Sequence, residues 1–179
     1  MRELLLDLLK KESYQKKEVK LSSGKISDFY IDVRKISLSS KGIYLISNLF
    51  FQYLDKKSID AFGGPTLGAD PIVAGVCLIA EQNDRTLAGF LIRKTPKKHG
   101  KQKLIEGPQI KTGSKVILCD DVATSGGSLI QAKRVLTDQG IKVEDVMVVV
   151  DRNEGAKEAL AKVGCNLFSL FTKGDFLIE

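Results

Sequence analysis

No apolar run in this chain approaches the roughly 20 residues needed to cross a bilayer. The charged, acid-containing start Met1-Arg2-Glu3 also lacks a secretory pattern. Membrane and exported classes are thereby disfavoured, and a cytoplasmic location is expected. Cysteine is scarce. Cys77, Cys119 and Cys165 are odd in number, far apart and set in apolar sequence, which fits buried thiols in a reducing compartment better than a disulfide framework or a zinc site. Internal repeats, linkers and low-complexity segments are missing too. Neither common nucleotide loop is present: there is no Gly-x-x-x-x-Gly-Lys, and no Gly-x-Gly-x-x-Gly opens the first strand-helix unit.

What remains is an ordinary globular composition with one unusual concentration of charge. At 179 residues, 43% apolar and 28% charged, the chain suits one well-buried domain spanning 1–179. A net charge of +6 admits nucleic acid or a highly anionic small molecule, and the location of the charge has to decide.

The chain is organised around Val116-Ile-Leu-Cys-Asp-Asp-Val-Ala-Thr-Ser-Gly-Gly-Ser128. Its apolar run, with no polar residue alternating through it, reads as a strand buried on both faces inside a parallel sheet. Two carboxylates, Asp120 and Asp121, end that strand. Thr124, Ser125, Gly126, Gly127 and Ser128 then form a small-residue loop before the apolar-periodic Leu129, Ile130, Ala132, Val135 and Leu136. Such a loop binds phosphate: glycines let the backbone approach an anion, hydroxyls donate, and the helix N-terminus offers unpaired N–H groups. Acids beside that cradle would repel a bare anion. They suit sugar hydroxyls or Mg²⁺, held directly or through water, so acid pair plus anion loop fits a ribose 5-phosphate. The bland alternative is an acidic turn with a helix cap.

These residues resemble the phosphoribosyl-pyrophosphate (PRPP) motif of the type I phosphoribosyltransferases, and other segments extend the likeness. Leu21-Ser-Ser-Gly-Lys-Ile-Ser-Asp-Phe-Tyr-Ile-Asp32 is similar to the N-terminal signature of the orotate phosphoribosyltransferases. By that resemblance about residues 1–35 form a small hood over the base, with Ser22 standing where some relatives carry a lysine. Gly63-Gly-Pro-Thr-Leu-Gly68 repeats the strand, loop and helix logic, with N–H groups placed for a pyrophosphate arm. Relatives often have lysine there, whereas this chain has Thr66-Leu67. A plain tight turn is the competing reading.

Arg93-Lys-Thr-Pro-Lys-Lys-His-Gly-Lys-Gln-Lys103 holds six Lys/Arg residues and the only histidine, with no apolar anchor. That composition predicts a mobile loop ordered by a multiply charged anion; a solvated loop or a nucleic-acid patch is the alternative. The run lacks an aromatic residue for base stacking and confines its charge to one loop, which argues against nucleic acid. Arg93, Lys94, Lys97 and His99 match the mobile catalytic loop of the orotate phosphoribosyltransferases. At the end of the strand Val143–Val150 stands Asp151-Arg-Asn-Glu, where open α/β sheets place ligands. Arg152 has a planar fork suited to a carboxylate; a surface Arg-Glu pair is the alternative.

The expected fold is therefore α/β, type I phosphoribosyltransferase-like, with a central parallel sheet flanked by helices and a small N-terminal hood. The resemblance implies transfer of ribose 5-phosphate from PRPP to orotate, with Mg²⁺. Residues Asp120, Asp121, Val122, Ala123 and Thr124 to Ser128 would bind PRPP, joined by Arg93, Lys94, Lys97 and His99. Arg93, Lys94, Lys97, His99, Asp120 and Asp121 would be catalytic, and Thr124 and Arg152 would bind orotate. It further implies a homodimer sharing the 93–103 loop between subunits, with neither nucleic acid nor membrane as partner. A phosphoribosyltransferase for another base, or a non-catalytic PRPP-binding regulator, is the alternative function.

Overall fold

The structure is a computed structural model and describes residues 1–20, 26–95 and 103–177, for 17–20 and 26–28 the backbone alone. The apolar run at the centre of the sequence becomes β6 (Lys115–Ala123) and sits in the middle of the main sheet. Its side chains alternate between two cores. Ile117 and Cys119 join one buried cluster, Val116 and Leu118 the other. The next strand, β7 (Lys142–Asp151), does the same, with Met147 and Val149 on one side and Val146 and Val148 on the other. Each fully buried side chain of this kind contributes about 1.5–3 kcal/mol, which is why neither face tolerates polar alternation.

Four further strands complete the sheet: β3 (Ala61–Pro65), β4 (Ala88–Ile92), β5 (Ile105–Glu106) and β8 (Asn166–Thr172), in the order β5-β4-β3-β6-β7-β8. All pairings are parallel except that of β4 with β5. On one face lie α3 (Ser40–Leu54) and α4 (Ala69–Gln82), supplying Ile46, Phe50, Ile72 and Val76 to the first cluster. On the other lie α5 (Gly127–Thr137) and α6 (Ala156–Lys162), supplying Leu129, Leu136 and Leu160 to the second. The chain leaves β3 through α4 towards one edge and leaves β6 through α5 towards the other. The carboxyl ends of β3 and β6 thus border the crevice where an open α/β sheet takes its ligand.

The N-terminal part begins with α1 (Arg2–Leu8), which tightens into a π-helical turn, Leu9–Ser13. An antiparallel pair follows, β1 (Tyr14–Lys20) and β2 (Ile26–Ile31), and then the short α2 (Arg34–Ser37). Leu5, Leu9, Phe29 and Val33 belong to the same buried cluster as Phe50 and Phe171, so these elements rest directly on the sheet domain.

Several local details are settled by the backbone. Of the adjacent Ser39 and Ser40, Ser39 caps α3: it has extended backbone and accepts from the Gly42 N–H at 3.1 Å. The first helix changes geometry after Leu8. The C-terminal residues, which carry no signal in sequence, form α7 (Lys173–Leu177) and drive Phe176 against Phe29 with ring centroids 5.4 Å apart.

Candidate active site

The site starts at the end of β6, where burial has to accommodate two adjacent acids. Asp120 is only 8% exposed. Its Oδ1 accepts the Asp121 N–H at 2.9 Å, and its Oδ2 accepts from Ser128 Oγ at 3.4 Å. Asp121 Oδ1 accepts the Val122 N–H at 2.8 Å. Burial pushes the Asp120 carboxyl well above the ordinary range, and the adjacent Asp121 charge pushes the same way. Asp121 is also raised by burial, opposed by its hydrogen bonds and by the charge of Arg34. A pair of this kind resists full ionisation until hydroxyl donors or a cation arrive.

The Thr124–Ser128 loop turns through Gly126, whose φ of +79° lies in the left-handed region that favours glycine. That turn aims the start of α5, with its unpaired N–H groups and positive dipole end, back at the strand tip. The loop after β3 mirrors it from across the crevice. Pro65, Thr66, Leu67 and Gly68 lead into α4, and the Thr66–Leu67 peptide is cis. Gly68 has ordinary helical backbone, φ −60° and ψ −37°, so conformational freedom is not what requires glycine there. Close approach is. A Cβ on Gly68 would lie 2.4 Å from Oδ1 of both Asp120 and Asp121.

The basic segment proves to be the connection of an antiparallel pair. Leu91 pairs with Glu106 and Ile92 with Ile105, while the Arg93 N–H donates to Leu104 at 2.8 Å. Arg93 lies 3.5 Å from Glu106 Oε1. Lys97 and His99, the other two residues matched to the catalytic loop, lie outside the described residues, as do Ser22 and Lys25. Arg152 follows β7 and is 6% exposed, so the pair it forms with Glu154 lies away from the surface. Its Nη2 donates to the Phe29 carbonyl and its Nε to Glu154 at 3.2 Å, with the guanidinium 5.4 Å from the Phe29 ring centre.

These pieces meet in one cavity of about 570 Å³, lined by Asp120, Asp121, Val122, Thr124, Ser128, Arg93, Lys94 and Arg152 among the expected residues. Ala123, Ser125, Gly126 and Gly127 shape the loop without lining the cavity. Asp32, which closes the hood signature, and Arg34 also line it, and sequence reasoning gave neither an individual role. Among the described residues, no cluster of three or more His, Cys, Asp or Glu side chains could hold a metal alone.

Comparison with known proteins gives the same assignment. Residues 3–169 match the family described as the phosphoribosyl transferase domain. Orotate phosphoribosyltransferase of Aquifex aeolicus is 37% identical over 179 residues, covering 98% of this chain and 97% of that protein. The chain belongs to the orotate phosphoribosyltransferase family. A solved orotate phosphoribosyltransferase of Mycobacterium tuberculosis, in complex with Fe(III) dicitrate, superimposes with a TM-score of 0.84 at 34% identity, covering 99% of both chains. The same enzyme in complex with 5-phospho-α-D-ribosyl 1-diphosphate gives 0.80 at 32% identity, again over 99% of both chains. In this chain the strand-tip acids and the loop after them border the crevice at the carboxyl ends of β3 and β6.

Proposed function

We propose that this chain transfers the 5-phosphoribosyl group from PRPP to orotate, giving orotidine 5′-monophosphate and pyrophosphate, a step of pyrimidine nucleotide (UMP) synthesis. One observation carries the reading: a buried acid pair and a helix-start loop share a cavity with Arg152 and the stem of a basic loop. In this reading Asp120 and Asp121 take the ribose hydroxyls, and Thr124 to Ser128 with the amides of α5 take the 5-phosphate. Thr124 and Arg152 meet the orotate. Arg152 is fixed by Phe29 and Glu154, so it presents a pre-set edge instead of a swinging cation.

The bond from ribose C1 to pyrophosphate breaks through a transition state with oxocarbenium character, as in glycoside cleavage. Negative charge grows on the leaving group. Arg93 and Lys94 at the stem, with Lys97 and His99 further along, supply the compensating charge. In this reading Lys97 or His99 passes a proton to the leaving oxygen. No protein nucleophile is required. Excluding water around C1 protects the cation from hydrolysis.

Mg²⁺ suits the donor set: two carboxylates, both held above their ordinary range by burial, would be relieved by a divalent cation. Asp120 or Asp121 would hold it directly or through water, beside oxygens of PRPP, and it would neutralise pyrophosphate charge. The same reading includes a cytoplasmic homodimer whose 93–103 loop serves the neighbouring subunit's site. The activity is tested by following pyrophosphate release from PRPP and Mg²⁺ with and without orotate. Orotate-dependent release is expected; release with another base and none with orotate would reassign the substrate.

A further inference from the structure

The described arginines around the cavity differ in how many donors they have uncommitted, while Lys94, which lines it too, is a point charge without a fork. Arg152 is buried and spends Nη2 and Nε on Phe29 and Glu154. Arg93 is drawn to Glu106 and to the Thr95 carbonyl. The loop after β3 offers Thr66 and Leu67, neither of them charged, and Ser22 brings no charge to the hood. Arg34 differs from all of these. It opens α2, its side chain is 50% exposed, and it lines the cavity. Nε and Nη2 donate to Asp32 at 2.9 and 3.3 Å, so one edge of the guanidinium is fixed to the hood. Nη1 donates no bond among the described residues. A planar fork held by one edge has its other edge pre-organised for a second anion.

The neighbourhood narrows which anion. Asp121 is close enough for its charge to reinforce that of Arg34, and Asp121 belongs to the pair assigned to the ribose hydroxyls. Those hydroxyls sit on C2 and C3, and C1 with its leaving group adjoins C2. A cation beside Asp121 is therefore within reach of the pyrophosphate, whereas the 5-phosphate is directed to the Thr124–Ser128 loop. We infer that Arg34 binds the pyrophosphate arm of the substrate from the hood side, supplying the fork that Ser22 and Thr66-Leu67 do not, with Asp32 as its positioning residue. This assignment rests on the phosphoribosyl-transfer reading of the same site.

Titration calorimetry with Mg²⁺-pyrophosphate, PRPP and ribose 5-phosphate, on the full chain and on Arg34→Met and Arg34→Lys, tests it. Arg34→Met should weaken pyrophosphate and PRPP binding by roughly 10- to 100-fold, the range of hydrogen bonds to a charged group. Ribose 5-phosphate affinity should hold, which also reports an intact fold. Arg34→Lys should recover only part of the loss, because a point charge lacks the fork, and Asp32→Asn should show the same pattern more weakly. Unchanged pyrophosphate affinity in Arg34→Met overturns the assignment. So does an equal loss for ribose 5-phosphate, which would make Arg34 a structural brace of Asp121. The binding readout is independent of turnover: selective loss of pyrophosphate affinity supports the assignment even in a protein that does not consume orotate.

Discussion

Two strand-loop-helix units face each other across the crevice, and they divide the work unequally. The β6–α5 unit carries its chemistry in side chains: two acids, then hydroxyls, then a glycine turned to φ +79°. The β3–α4 unit carries almost none in its side chains. Thr66 is uncharged, Leu67 is 68% exposed, and the loop contributes backbone together with a glycine pressed against the acids of the other unit. The same supersecondary geometry thus serves twice. In the proposed reading, residue identity matters in one copy and the absence of a side chain in the other. Charge that a lysine would have brought to the second unit has to come from elsewhere, and the role inferred for Arg34 brings it from the hood.

The comparison is broken most forcefully at Gly68. Gly68→Ala leaves the backbone conformation available but drives a Cβ to 2.4 Å from both acids. Displacing them together should lower kcat/KM for PRPP by about 100-fold or more, given the cost of misplacing a binding group by an ångström; steady-state kinetics at fixed orotate checks this. A loss below tenfold would mean that the two units are not in functional contact.

Asp120→Asn sharpens the comparison through stability. The Asp120 carboxyl is raised in the folded state by burial. Its contribution is therefore fully present below the unfolded value near 3.8 and lost as pH rises through the folded one. At neutral pH the amide avoids that loss, so Asp120→Asn should raise Tm of the unliganded protein, by about 2–4 °C for each kcal/mol relieved, while activity falls. The gain should shrink as pH is lowered towards the unfolded value. Differential scanning calorimetry across pH reads the trend, and a destabilised variant at neutral pH would contradict it. The smallest effect belongs to Thr66→Ala. If that loop works through its backbone, kcat/KM should change by less than about threefold, a difference well under 1 kcal/mol. A large loss would give the second loop a side-chain role after all.

This asymmetry also decided what was legible in the sequence. β6 and β7 could be read because runs such as Val116-Ile-Leu-Cys and Val146-Met-Val-Val admit no polar face, and both strands are buried on two sides as that pattern demands. The acid pair and the Thr124–Ser128 loop could be read because their chemistry is spelled in residue types. The role of Gly68 could not, since it depends on a contact between loops more than 50 residues apart in the chain. Nothing in the sequence singled out Arg34, whose place in the cavity with Asp121 depends on how the hood rests on the sheet domain. Of two adjacent serines, the cap was settled by the backbone angles of Ser39. Phe176 was illegible because five residues of helix give no period, and its partners Phe29 and Phe171 come from opposite ends of the chain.

The central claim is that one substrate is gripped jointly, its sugar by the strand-tip acids and its 5-phosphate by the loop that follows. A crystal structure of the protein with PRPP and Mg²⁺ tests this directly. The account predicts ribose hydroxyls within hydrogen-bonding distance of Asp120 and Asp121, and the 5-phosphate on the amides and hydroxyls of residues 124–128. A 5-phosphate seated against Gly63–Gly68 or the 93–95 stem, with the acids facing empty solvent, would contradict it.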